Sequence, residues 1–289
     1  MENGNLKLAI QKKGRLSEKS IELLRLCGLD LDFYSERLIV SARNFKLDLL
    51  FLRDDDIPEY VQDGVADIGI VGEDVVYEKQ ANINVCEKLG FGRCRLMIAA
   101  PANCLPQKIE DINGKTIATS YPNILKTYLQ ANNLQAKIIQ ISGSVEIAPS
   151  LGVADLICDI VSTGTTLMMN KLSKSFNVFD SEAILIANND LNLNTEKYNI
   201  LLDLIGRIRS VMSAKKSKYL MMNIPKDSLE KVTKVIPSLK SPTVLHLADE
   251  NSLAVHAVIP ADKVWSIMND LKAFGASGIL LLPIENMII

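Results

Sequence analysis

The sequence predicts an α/β protein, with parallel sheets covered by helices over about the first two thirds and a smaller βαββαβ module at the end. Three observations carry this reading. Strand-like and helix-like segments alternate along the front of the chain, the pattern that builds parallel sheets with covering helices. The stretch from Ala154 to Leu167 reads as a buried strand, Leu156 to Val161, ending in a hydroxyl-rich loop that opens a helix. After about Ser213 the order of elements changes to the ferredoxin-like pattern.

Taken in order, Leu6 to Ile10 is a strand, and Ser17 caps a helix that Gly28 stops. Leu47 to Leu52 is a strand running into Arg53-Asp54-Asp55-Asp56, and the next helix carries Pro58 in its first turn and Gly64 at its end. Ala66 to Val71 is a strand, and Gly72-Glu73-Asp74 begins a helix. Arg95 to Ala100 and Thr116 to Thr119 are strands, the second leading through Ser120-Tyr121-Pro122 into a helix that reaches about Asn132. Lys137 to Ile141 is a strand, and Ser144 caps a short helix closed by Gly152. Thr195 to about Ser213 has helical period and bridges to the tail. In the tail, Lys218 to Ile224, Thr243 to His246, Leu253 to Val258 and Gly278 to Leu282 are strands, with helices over Ser228 to Val235 and Ala261 to Phe274. In an open α/β sheet, ligands gather at the carboxyl ends of strands. Each charged or hydroxyl-rich cluster in the front part falls at such an end.

Composition narrows the class. At 289 residues the chain calls for two or three domains. A net charge of -2 provides no global field for nucleic acid or membrane, and no apolar run approaches membrane-spanning length. The five Cys are scattered without a CxxC pair, which points to reduced thiols in a cytoplasmic protein. Met1 to Asn5 carries no basic patch followed by an apolar run, so no secretion signal is expected.

Three clusters carry the chemistry. Ser162, Thr163, Gly164, Thr165 and Thr166 offer hydroxyls, backbone N–H groups and a turn at a helix start, the setting for a phosphate. Asp159 beside them suits sugar hydroxyls or a bridging Mg²⁺. The plainer alternative is a strand-end Asp before a Thr-rich cap. Gly64 to Asp74 brings three Gly to a strand and its turn, for close approach to a ligand or simply for tight packing. Gln11 to Ser17 sets Lys12, Lys13 and Arg15 at the end of the first strand, where an anion site competes with a solvated charge run.

With these residues assembled, the chain resembles the ATP phosphoribosyltransferase family in its long form. The matching segments include Gln11 to Ser17, Arg53 to Pro58, Asp67 to Glu73, Ala118 to Pro122, Gly143 to Glu146 and Asp155 to Leu167. In the tail, Ser217 to Met222, Ser241 to Thr243 and Gly275 through Glu285 match. The resemblance implies two lobes similar to the type II periplasmic-binding-protein fold: residues 1–95, with about 180–213 returning, and residues 96–179. It also implies a histidine-binding regulatory domain over residues 214–289, and hexamers assembled from dimers.

The implied reaction joins adenine N1 of ATP to the anomeric carbon of phosphoribosyl pyrophosphate, with Mg²⁺-bound pyrophosphate leaving. Such chemistry needs alignment and charge neutralisation rather than a protein nucleophile. In this reading Asp159 meets the ribose hydroxyls and Ser162 to Thr166 cradles the 5-phosphate. Lys12, Arg15 and Arg53 face pyrophosphate or ATP phosphates, while Glu73, Asp74, Ser120 and Tyr121 line the nucleotide side. For histidine the expected contacts are Asn223, Thr243, Ala276 and Ser277; Asn223 falls where some long-form members carry an acid. The phosphoribosyltransferases with two adjacent acids before their Thr-Gly loop match poorly, because Ile160 follows Asp159. The other alternative is a solute-binding or ligand-sensing protein with the same two lobes.

Overall fold

The computed structural model describes residues 4–32, 37–161 and 165–288. The chain separates into two compact units, one of residues 1–22 and 29–201 and the other of residues 23–28 and 202–289.

The first unit holds two mixed sheets. In chain order its elements begin with β1 (Leu6–Gln11), α1 (Arg15–Leu26), β2 (Ile39–Ser41), β3 (Leu47–Leu52), α2 (Ile57–Gln62), β4 (Ile68–Gly72), α3 (Glu73–Lys79) and β5 (Asn84–Lys88). Next come β6 (Cys94–Pro101), β7 (Thr116–Thr119), α4 (Pro122–Ala131), β8 (Lys137–Gln140), β9 (Leu156–Val161), α5 (Thr165–Met169) and β10 (Leu172–Ser181). The chain then returns through β11 (Ala183–Ala187) into α6 (Thr195–Lys215). One sheet has the order β2-β3-β1-β4-β11-β5 and the other β10-β6-β9-β7-β8. The two lobes are therefore joined by two crossings, through residues 89–93 on the way out and through Glu182 on the way back.

The parallel pairs are β1 with β3 and β4, and β7 with β8 and β9. The antiparallel strands β6, β10 and β11 replace the wholly parallel sheets that alternation predicts. Their physical cause is the double crossing, which brings the chain back without a helix. β10 escapes the sequence pattern because Ser173, Lys174, Asn177 and Asp180 are exposed and two bulges break its alternation. Strands β2 and β5 were also missed, being edge strands with few buried residues.

Local details differ where tertiary contacts outrank caps. Helix α1 begins at Arg15, and Ser17 lies inside it, buried, rather than capping it. Ser144 adopts a left-handed conformation, φ 52°, with no side-chain cap, ahead of a single 3₁₀ turn. No described helix is long and apolar enough to cross a membrane.

Packing against β4 is tight enough to test. A Cβ on Gly69 would meet Ile57 Cγ2 at 2.7 Å, Val61 Cγ2 at 3.1 Å and Ile186 Cγ1 at 3.3 Å. All three are fully buried, so none can swing into solvent. Gly69→Ala should therefore cost about 1–3 kcal/mol, read as a lower denaturant midpoint at unchanged slope. An unchanged midpoint would refute this account of the packing.

The second unit carries β12 (Ser217–Pro225), α7 (Leu229–Val235), β13 (Thr243–His246), β14 (Ser252–Pro260), α8 (Val264–Ala273) and β15 (Ser277–Pro283). Its antiparallel order β13-β14-β12-β15 is that of a ferredoxin-like sheet. Leu220, Met222, Ile224, Val255, Ile259, Val264 and Leu271 form its core, so one sheet face is sealed by helices.

Candidate active site

The carboxyl ends of β1, β3, β4, β7 and β9 bring together residues from both lobes of the first unit. Lys12 and Arg15 follow β1, and Arg53 follows β3, its direct neighbour in the sheet. All three are exposed, and no side-chain hydrogen bond or ion pair engages them among the described residues. Three other cations nearby are neutralised: Lys88 by Glu73 at 3.0 Å, Arg93 by Glu182 at 3.5 Å and Arg95 by Asp180 at 3.1 Å. Among the described residues Lys12, Arg15 and Arg53 are thus unpaired, as are Lys13 in the same loop and Lys19 and Lys174 on the cavity walls.

Arg15 lines a cavity of about 290 Å³ with Gln11, Asp54, Gly72, Asp74 and Cys94. A second cavity, of about 320 Å³, is lined by Glu73, Lys88, Arg93, Cys94, Lys174 and Val161, the last residue of β9. Arg93 and Cys94 border both.

The start of α3 is fastened to the end of β10. Asp74 N–H donates to Ser181 Oγ at 3.1 Å, and that hydroxyl donates back to Asp74 Oδ1 at 2.5 Å. A Cβ on Gly72 would collide with the same carboxylate and push it out of its pairing with Ser181. Burial pushes the Asp74 carboxyl above its ordinary value, and the Ser181 hydrogen bond only partly offsets this. The Cys94 thiol, also in contact with Ser181, is pushed by burial to about 11 and is not a thiolate at neutral pH.

Tyr121, the residue before α4, lies close enough to Asp74, Asp159 and Asp55 to feel their charges. Burial first, and these negative neighbours second, keep its phenol protonated and a hydrogen-bond donor. Carboxylates of lobe I and Asp159 of lobe II therefore act electrostatically on one tyrosine. The Ser120 hydroxyl donates to the Ile141 carbonyl at 2.6 Å, which leaves it only acceptor capacity toward a ligand.

Asp159 opposes Met97 across the β6–β9 ladder and is half-buried. Burial raises its carboxyl, the Ile160 N–H at 2.8 Å pulls it down, and the Glu146 charge raises it again. Ser162, Thr163 and Gly164 lie outside the described residues, as do the side chains of Thr165 and Thr166; α5 begins at Thr165. Among the described residues no group of three or more His, Cys, Asp or Glu is arranged to hold a metal.

In the second unit Asn223 pairs with Ser277 at a bulge between β12 and β15, and Ala276 leads into that strand. Thr243 does not join them, because it pairs with His256 two strands and two residues away. With strands about 4.8 Å apart and a rise of about 3.3 Å per residue, that separation is about 12 Å.

Sequence reasoning passed over Ser181, Arg93, Cys94, Lys88 and Lys174. The signal that could have found all but Lys174 is the complementary charge of the two crossings, basic over Lys88 to Arg95 and acidic over Asp180 to Glu182.

Comparison with known proteins fits this geometry. The family model for ATP phosphoribosyltransferase matches residues 53–210, and that for the HisG C-terminal domain matches residues 214–286. The ATP phosphoribosyltransferase of Cytophaga hutchinsonii is 50% identical over 283 residues, covering 98% of each chain. That of Bacteroides fragilis is 46% identical over 284 residues, covering 98% of this chain and 100% of its own. Among solved structures, the ATP phosphoribosyl transferase (HisG:HisZ) complex from Thermotoga maritima has a chain 32% identical with a TM-score of 0.59. The match covers 71% of this chain and 98% of that one.

Fold and site thus define a two-lobed α/β pentosyltransferase rather than a solute-binding protein. The chain belongs to the ATP phosphoribosyltransferase family, in its long form. The reaction transfers phosphoribosyl from phosphoribosyl pyrophosphate to N1 of ATP, the first step of histidine biosynthesis.

Proposed function

We propose that the two lobes divide the substrates. Residues 96–179 hold phosphoribosyl pyrophosphate through Asp159 and the Ser162–Thr166 segment. Residues 1–95, with 180–213, hold ATP and the pyrophosphate through Lys12, Arg15 and Arg53. The observation that carries this is the contrast in pairing: these three cations are free, whereas Lys88, Arg93 and Arg95 each have a carboxylate partner. A free cation beside a cleft is available to a phosphate without first breaking an ion pair.

The adenine ring nitrogen brings its own lone pair, so the protein's task is alignment and charge stabilisation. Asp159, ionised, accepts hydrogen bonds from the ribose hydroxyls and offsets positive charge growing at the anomeric carbon. Tyr121, held protonated, donates toward the nucleotide, and Asp74 and Glu73 shape that side through Ser181 and Lys88. Mg²⁺, when bound, neutralises the departing pyrophosphate. Asp159 would be the protein carboxylate available to it, beside the substrates' own phosphate oxygens.

Residues 214–289 act in this reading as a regulatory domain that binds histidine, with Asn223, Ala276 and Ser277 supplying one group of contacts. Thr243 contributes from another part of the sheet or from a second copy. The enzyme works in the cytoplasm as a homo-oligomer, from dimer to hexamer. Support for assembly is the Thermotoga maritima relative, itself described as a complex.

Arg15→Ala and Arg53→Ala test the central claim. Loss of a charged hydrogen bond to phosphate costs about 1.5–3 kcal/mol, a rise of about tenfold or more in KM for the affected substrate. A solvated charge would cost almost nothing. Unchanged KM values for both substrates in both variants would reject the phosphate clamp.

A further inference from the structure

Helix α4 begins without a local cap: Tyr121 stands at its N-cap position and makes no side-chain cap hydrogen bond. Its first N–H groups are instead satisfied from the other lobe. Asn123 N–H lies 3.1 Å from both carboxylate oxygens of Glu78 on α3, and Ile124 N–H donates to Glu78 Oε2 at 3.0 Å. Asn123 Nδ2 returns the contact, donating to the Glu78 carbonyl at 2.8 Å. A carboxylate suits this place because the helix start is positive.

Two further contacts run from the same helix face. Tyr77 packs on Phe179 of β10 with ring centroids 4.9 Å apart, and Asp74 holds Ser181. Positions 74, 77 and 78 are related by i, i+3 and i+4, so α3 presents one stripe to lobe II. Within that stripe Glu78 is the residue that reaches the helix on which Tyr121 is mounted. Burial raises its carboxyl, and the two N–H donors draw it back, as expected of an anion bound by a helix start.

We infer that Glu78 is a positioning residue for phosphoribosyl transfer, a strut that sets the start of α4, and with it Tyr121, at a fixed distance from the lobe I cations. The inference rests on the division of substrates proposed above. A strut between two half-sites touches neither ligand, so its loss leaves each half able to bind and disturbs their alignment. Misalignment of about 1 Å costs on the order of a hundredfold in rate.

The test measures kcat, the Kd of ATP and of phosphoribosyl pyrophosphate each without its co-substrate, and thermal stability. In Glu78→Ala, kcat should fall about ten- to hundredfold while both Kd values stay within about twofold. Glu78→Gln keeps the shape and one acceptor oxygen, and should fall between the two. If the alanine variant fails to fold, the glutamine variant carries the test on the same criteria. A kcat within about twofold of the unsubstituted enzyme, or a fall matched by weaker binding of both substrates, overturns the inference. Failure of the underlying substrate division would show separately, as unchanged KM values in Arg15→Ala and Arg53→Ala, which leave the strut intact.

Discussion

Asp159→Ala should lower kcat/KM for phosphoribosyl pyrophosphate on the order of a hundredfold or more, with ATP binding and the melting temperature little changed. Asp159 lies within β9, two residues before its end, and among the described residues the neighbouring Ile160 N–H is the one hydrogen-bond donor to its carboxylate, so capacity remains for a ligand. Two charged hydrogen bonds to sugar hydroxyls, at about 1.5–3 kcal/mol each, exceed the energy needed for a hundredfold effect. The pH dependence has a definite sign. Since burial raises the carboxyl in the folded protein, ionised Asp159 opposes folding; stability contributed by the protonated form is lost as pH rises above the unfolded value through the raised one. Removing the carboxylate should therefore not destabilise the fold at neutral pH. Steady-state kinetics alongside thermal denaturation would check both statements. Near-normal kcat/KM in a folded Asp159→Ala enzyme would exclude a ribose-binding role.

Histidine should inhibit the intact enzyme, from several-fold to about a hundredfold, for a coupling of about 1–3 kcal/mol. The requirement is thermodynamic: histidine must bind the inhibited arrangement better than the active one, since equal affinity shifts nothing. Asn223 and Ser277 stand opposite each other at the bulge between β12 and β15, where hydroxyl, amide and backbone groups can meet an ammonium and a carboxylate. Asn223→Ala should weaken inhibition and leave uninhibited turnover intact. Removing everything after Ser213 is a poorer experiment than the sequence alone indicates. Residues 23–28 cluster with residues 202–289, and α6 runs through that boundary. Trp265, the single Trp of the chain, is 77% exposed on α8 and offers a fluorescence reporter in the second unit. Titrating histidine and finding neither a binding signal nor inhibition would reduce this unit to an assembly module.

Much of the fold was legible because its parallel core is built from continuous apolar runs. Leu47–Leu52, Ile68–Gly72 and Leu156–Val161 announce themselves by composition, and a loop with charge or hydroxyls follows each. In the tail the order was legible for a different reason: antiparallel strands with one covered face alternate buried and more exposed residues, as β12 does. By contrast, β10 is mostly polar and bulged, and β5 is an edge strand with little burial, so neither carries a period that a sequence can display. Ser17 and Ser144 look like caps, but the first is buried within a helix and the second takes a left-handed turn. Local preference of about 1 kcal/mol yields to packing at such places.

The candidate site divides in the same way. By itself, the sequence determined which groups are offered at strand ends: the cations of Gln11 to Ser17, Arg53, Asp159, and the hydroxyls after it. Only the tertiary structure decided which of them are free. It tied Asp74 to Ser181, 107 positions away, spent the Ser120 hydroxyl on Ile141, and neutralised Lys88 with Glu73 while leaving Arg15 and Arg53 unpaired. It also separated Thr243 from Asn223 and set Glu78 under the start of α4. The reason is physical: composition and period report what each strand and helix buries, whereas pairing depends on distances of a few ångströms between groups far apart in the chain.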